Sequence, residues 1–106
     1  MVTIASFRQL ALSFPGTEEK PHFERQAFRI KKGIFVTLHE EKQQVCVKLS
    51  PIDQSVFCAF DKDIIYPVNN KWGLQGWTII ELKKVKKSML KDALTTAYNE
   101  VSKKKK

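Results

Sequence analysis

Three groups of residues in this sequence could do chemistry. His22 and Glu24, in the run Pro21-His22-Phe23-Glu24, have the types of a general base and an orienting carboxylate. They would share one side only of a regular extended segment, and Pro21 opens that segment. A local hydrogen bond that anchors the connection is the competing role for His22. The second group is Cys46 and Cys58, the two cysteines of the chain. They form no CxxC, no Cys/His zinc spacing and no pairing with a visible base, so both read as reduced thiols, Cys58 partly buried on a helix. The third group is basic and aromatic. Lys71, Lys83-Lys84 and Lys86-Lys87 could hold phosphates, and Trp72 could touch a base or sugar. Their ordinary roles are a solvated helix start and loop packing. His39 sits beside Glu40 and Glu41 at an expected strand end, exposed. No HExxH, P-loop, GxGxxG or Ser/His/Asp order is present, so the sequence predicts neither an enzyme nor a cofactor or metal site.

The stretch Tyr66–Leu82, YPVNNKWGLQGWTIIEL, must position the third group. It reads as a strand end, a loop and a second strand. Gly73 and Gly76 in the loop call for φ > 0 or a close backbone approach. Trp72 and Trp77 flank the turn with large rings that fix its place.

The remaining elements follow from apolar spacing. Thr3–Ser13 is predicted as a helix, with Ile4, Phe7, Leu10, Ala11 and Phe14 on one stripe and Pro15-Gly16 as its stop. Thr17–Pro21 is a polar connection. Gln26–Lys31, Ile34–His39 and Gln44–Leu49 alternate as three antiparallel strands, with a turn at Lys32-Gly33 and another at Glu40–Lys42. One sheet face carries Phe28, Ile30, Ile34, Val36, Leu38, Val45, Val47 and Leu49. The other carries Arg29, Lys31, Phe35, Thr37, His39, Cys46 and Lys48. That second face is either a solvated surface or a binding surface, with phosphate contacts from Arg29 and Lys48 and stacking from Phe35. Ser50 and Pro51 start a helix to Phe60 whose stripe is Ile52, Val56, Phe57 and Phe60. Ile64–Val68 and Trp77–Leu82 are strands, and Val85–Ser102 is the last helix. The expected fold is α+β: an antiparallel sheet of about five strands, helices on one face, in the order α-β-β-β-α-β-β-α.

Residues 1–106 suit one domain, and 42% hydrophobic residues suffice for a core without disulfides. No apolar run approaches the ~20 residues of a membrane span, and the N-terminus lacks the pattern of a signal peptide. A cytoplasmic monomer is expected, the monomer because no element shows a surplus apolar face. Of the net +8, residues 83–106 carry +7, nine basic against two acidic side chains. The basic character lies in the last helix and the Lys103–Lys106 tail, which suits phosphate polyanions or a solvated helix face.

Read in order, the chain resembles the MmcQ/YjbR family. The carrying stretches are LSFPGTEEKPHFERQAFRI (Leu12–Ile30), GIFVTL (Gly33–Leu38), KLSPIDQ (Lys48–Gln54) and KWGLQGWTIIEL (Lys71–Leu82). The resemblance implies a CyaY-like, frataxin-type fold and DNA binding through a double-wing arrangement. Family members often place Lys or Arg between the two glycines of the W-G-x-x-G-W loop, where this chain has Leu74 and Gln75. Iron binding in the frataxin manner would need acidic residues on the first helix, and residues 3–13 hold none.

The sequence therefore predicts a non-catalytic, largely sequence-tolerant DNA-binding domain. Lys71, Lys83, Lys84, Lys86 and Lys87 would contact phosphates, Arg29 and Lys48 would form a second patch, and Trp72 would shape the loop. The alternative is a small-ligand or protein-interaction module with His22, Phe35 and Trp72 around a shallow site.

Overall fold

The computed structural model describes residues 1–22 and 25–103; Phe23, Glu24, Lys104–Lys106 and the His22 side chain lie outside the described residues. Helix α1 (Ile4–Leu12) is capped by Thr3, whose hydroxyl accepts the Ser6 N–H at 3.1 Å. Four strands follow as successive antiparallel pairs: β1 (Glu18–His22), β2 (Arg25–Ile30), β3 (Gly33–His39) and β4 (Gln44–Lys48). Helix α2 (Pro51–Cys58), strand β5 (Ile65–Pro67), the single turn α3 (Lys71–Leu74), strand β6 (Trp77–Glu81) and helix α4 (Lys87–Ser102) complete the chain. The sheet order is β1-β2-β3-β4-β6-β5, antiparallel throughout.

The α+β architecture and element order are those expected, with six strands rather than five. The extra strand is β1, formed from the Thr17–Pro21 stretch expected to be a connection. It is an edge strand with no apolar alternation to announce it. Charges and a proline belong on an edge, where they discourage pairing with another chain. Its one inward carboxylate, Glu19, lies opposite Phe28 and accepts from Arg8 Nε of α1 at 3.0 Å.

The core lies between the sheet and the pair α1 and α4. Phe28, Val36, Leu38, Val45, Val47 and Ile80 are fully buried from the strands. Leu90, Ala93, Leu94, Ala97 and Val101 meet them from α4. Phe7 of α1 meets Phe28 edge-on, with ring centroids 5.2 Å apart.

Two expectations are corrected. Phe35 was expected on the outer face, and it is fully buried in the core, 5.4 Å from Tyr98 and 5.9 Å from Phe14 by ring centroids. The cause is a bulge. Phe28 pairs with Val36 but Arg29 pairs with Ile34, so Phe35 has no opposite residue and the alternation breaks there. The same slip puts Ile34 opposite Arg29, on the outer face. The second correction concerns α2. Its stripe was expected to face inward, yet Ile52, Val56 and Phe60 are 76%, 66% and 58% exposed. Phe57 and Cys58 alone of its apolar side chains pack against the core. The expectation that no element has a surplus apolar face does not hold for α2.

Candidate functional site

The loop between β5 and β6 is pinned from four sides. Asn70 accepts the Trp72 N–H through Oδ1 at 2.8 Å and starts α3. Gly73 packs so closely on Val68 that an added Cβ would lie 2.0 Å from the Val68 carbonyl oxygen. Gly76 has φ +106°, and a Cβ there would fall 1.7 Å from the Leu49 oxygen. Both glycines thus meet the requirement read from sequence, one by close approach and the other by both routes. Gln54 of α2 donates from Nε2 to the Gly73 oxygen (2.9 Å), the Trp77 oxygen (3.2 Å) and Thr78 Oγ1 (3.1 Å). Lys48 donates from Nζ to the Gln75 oxygen at 2.7 Å.

These bonds hold Trp72 on a fixed backbone while leaving it 50% exposed. It borders a groove of about 580 Å³ at one end of the sheet. Register places the other walls. Arg29 pairs with Ile34 on β2 and β3, and Lys48 pairs with Trp77 on β4 and β6, and all four residues line the groove. The last turn of α4 closes the groove with Glu100, Val101 and Lys103. Lys71 is exposed on the adjoining α3 turn. Among the described lining residues Glu100 is the single acid, so the groove is basic and aromatic.

The opposite end of the outer face is different. Tyr66 donates its hydroxyl to Glu81, which also accepts from Gln44 Nε2 at 2.8 Å. Burial, then the Glu81 carboxylate, pushes the Tyr66 phenol up to about 12. Cys46 lies in the same sheet, and its thiol is pushed up to about 11 by burial, which a nearby Arg25 partly opposes. Neither group is poised to act as a base or nucleophile at neutral pH. His39 is half-buried and accepts the Lys42 N–H through Nδ1 at 3.3 Å.

Lys83, Lys84, Lys86 and Lys87 are exposed between β6 and α4. β6 runs from Trp77 to Glu81, so these lysines stand at the far end of that strand from the groove, roughly 15 Å by strand rise. The basic residues therefore form two sites. Arg29, Lys48, Lys71 and Trp72 come together at one end; the lysines 83–87 gather at the other. The grouping of His22, Phe35 and Trp72 does not assemble, because Phe35 is in the core and the backbone of His22 is on the edge strand β1. The His22–Glu24 pair lies outside the described residues. Among those described, no three His, Cys, Asp or Glu side chains gather as a metal site. No described helix is long and apolar enough to cross a membrane.

Sequence reading missed Gln54, Ile34 and Lys103 as parts of this site. Ile34 was misplaced by the bulge. Lys103 looked like tail solvation until α4 brought it to the groove. For Gln54 the available signal was a long polar side chain one turn before Phe57 and Cys58, on their side of the helix.

Fold and surface together define a class of protein: an α+β domain with helices on one side of an antiparallel sheet and a basic, aromatic groove at one end of it. The YjbR family model matches residues 12–100, and the chain belongs to that family. The crystal structure of Deinococcus radiodurans protein DR2400, described with the domain DUF419, is similar in fold, with a TM-score of 0.84 at 21% identity. The similarity covers 98% of this chain and 81% of that one. No curated protein matches the chain.

Proposed function

We propose that this chain is a non-catalytic, cytoplasmic DNA-binding domain that holds phosphates electrostatically, with little dependence on base sequence. The observation that carries this reading is the start of α4. Lys83, Lys84, Lys86 and Lys87 are exposed there, the first turn holds no acid and no side chain caps it. Cations at a helix N-terminus oppose the helix dipole, and an acid there would stabilise by about 0.3–1 kcal/mol. The helix gains nothing from Lys86 at its N-cap and Lys87 in its first turn, and phosphate binding gives both a use, with Lys83 and Lys84 in the turn just before them. Arg29, Lys48, Lys71 and Lys103 give the groove end the same sign.

The test is fluorescence anisotropy of a short labelled duplex across a salt series, with the full chain and a Lys83/Lys84/Lys86/Lys87→Ala variant. The wild type is expected to bind with a steep salt slope. The variant should bind more weakly, its slope reduced by about 0.9 for each phosphate it no longer neutralises. Absence of binding at low salt overturns the reading. Unchanged binding in the variant removes the α4 lysines from it and leaves the groove end.

A further inference from the structure

The groove differs in chemistry from the α4 lysines. Those offer charge alone. The groove joins Arg29, Lys48 and Lys103 to two tryptophans and Ile34 in about 580 Å³. That volume falls within the roughly 300–1,000 Å³ typical of small-ligand sites, a size for a nucleotide unit rather than a double helix. Trp72 is half-exposed although most of its ring is apolar. It is also held in place, by Asn70 at its own N–H and by Gln54 and Lys48 at the carbonyls of Gly73 and Gln75. An exposed indole on a braced backbone, beside guanidinium and ammonium groups, is the arrangement that stacks a base while its phosphate is neutralised. Duplex bases already stack on one another and show only their edges in the grooves, so they cannot use such a ring.

We propose that the groove binds single-stranded nucleic acid, with one base stacked on Trp72 and the adjoining phosphates against Arg29 and Lys103. This rests on the nucleic-acid reading above and names the form of ligand at one end of the sheet. Lys48 keeps its bonds to the Gln75 and Leu49 oxygens, at 2.7 and 3.4 Å, and works mainly as the brace of the loop, with one donor to spare. Glu100, the one acid of the described lining, keeps phosphate away from its own part of the rim.

The experiment compares a single-stranded oligonucleotide, the matching duplex and poly-glutamate, read by intrinsic tryptophan fluorescence and by anisotropy, for wild type, Trp72→Ala, Trp72→Phe and the four-lysine variant. The single strand is expected to quench tryptophan emission and to bind tighter than the duplex. Trp72→Ala should weaken single-strand binding by about 5- to 100-fold, the stacking contribution of one base, and leave duplex binding nearly unchanged. Trp72→Phe should recover part of the loss. The four-lysine variant should still show the quench. A duplex that binds as tightly as the single strand, or a Trp72→Ala variant with unaltered single-strand affinity, overturns the inference while leaving DNA binding intact. Equal quenching by poly-glutamate overturns it too, since charge alone would then suffice. If no nucleic acid binds at low salt, both readings fall.

Discussion

Helices α2 and α4 look alike in sequence and behave oppositely in the structure. Each carries apolar residues at helical spacing. α4 turns Leu90, Ala93, Leu94, Ala97 and Val101 into the core, whereas α2 turns Ile52 and Val56 into solvent. The difference comes from position and from one amide. α4 has 16 residues and lies over β3 and β4, where the central strands present a continuous apolar surface. α2 has eight residues and sits by the edge strand β5. There the nearest groups are polar: the carbonyls of Gly73 and Trp77 and the Thr78 hydroxyl, to all of which Gln54 donates. The two carbonyls also accept backbone N–H groups, from Gly76 and Val68, each at 3.0 Å, so Gln54 adds hydrogen bonds worth about 0.5–1.5 kcal/mol each, together comparable to the gain from burying one apolar side chain. Turning Gln54 inward turns Ile52 and Val56, two residues to either side and thus across the helix, outward. Apolar periodicity shows that a helix is two-faced; it does not show which face the fold needs.

The largest effect that tests this contrast is on stability. Leu94→Ala should cost about 2–5 kcal/mol in urea unfolding, because it empties a fully buried site. Ile52→Gln and Val56→Gln should each change stability by no more than about 0.5 kcal/mol. A large loss in the α2 variants would mean that the stripe is covered in solution and that α2 does not turn it outward.

Gln54 gives the next effect. Gln54→Ala should cost about 1–3 kcal/mol, since it strips three acceptors of one donor group. Because the same amide braces the Trp72 loop, the variant should also show altered tryptophan emission before global unfolding. Gln54→Leu separates the causes. If leucine there is neutral or stabilising, apolar burial could have served α2 as well as the amide does, and the hydrogen bonds do not decide its orientation.

The sequence was readable where a rule is local. Ser50 was legible as a cap because a hydroxyl before Pro51 has one obvious use, and its Oγ accepts the Asp53 N–H at 3.1 Å. Gly73 and Gly76 were legible because few other residues fit their backbone or surroundings. The strand alternation of Val36, Leu38, Val45 and Val47 was legible because one uninterrupted apolar face has one place to go. What escaped depends on partners distant in sequence. The bulge that buries Phe35 arises from a register between β2 and β3 that neither strand encodes alone. β1 has no apolar pattern, being an edge defined by its neighbour. The groove escaped as a unit because Arg29, Lys48, Trp72 and Lys103 lie on four different elements. Each was visible as a basic or aromatic residue, and only the sheet order and the path of α4 put them together.

The smallest effect concerns rates rather than stability. Cys46 sits in β4, beneath the larger side chains of the outer face, and Cys58 sits on the inward side of α2. Burial raises both thiols, Cys46 to about 11. Since the thiolate is the reactive form, both should label slowly with iodoacetamide at pH 8, and rates should climb as pH rises. If α2 is held at the sheet margin chiefly through Gln54, small openings will expose Cys58 before Cys46. Mass spectrometry should then show Cys58 labelling first, and Gln54→Ala should speed Cys58 while leaving Cys46 nearly unchanged. The raised Cys46 value also has a stability consequence. Above pH 9 the unfolded thiol ionises while the folded one stays neutral until about 11, so this contribution is full below pH 9 and is lost between those values. A Cys46→Ala variant should show a shallower decline in stability over that interval, whereas Cys58→Ala, on the more exposed helix, should alter it less. Equal labelling rates for the two thiols in the native protein would mean that α2 is as firmly seated as the centre of the sheet.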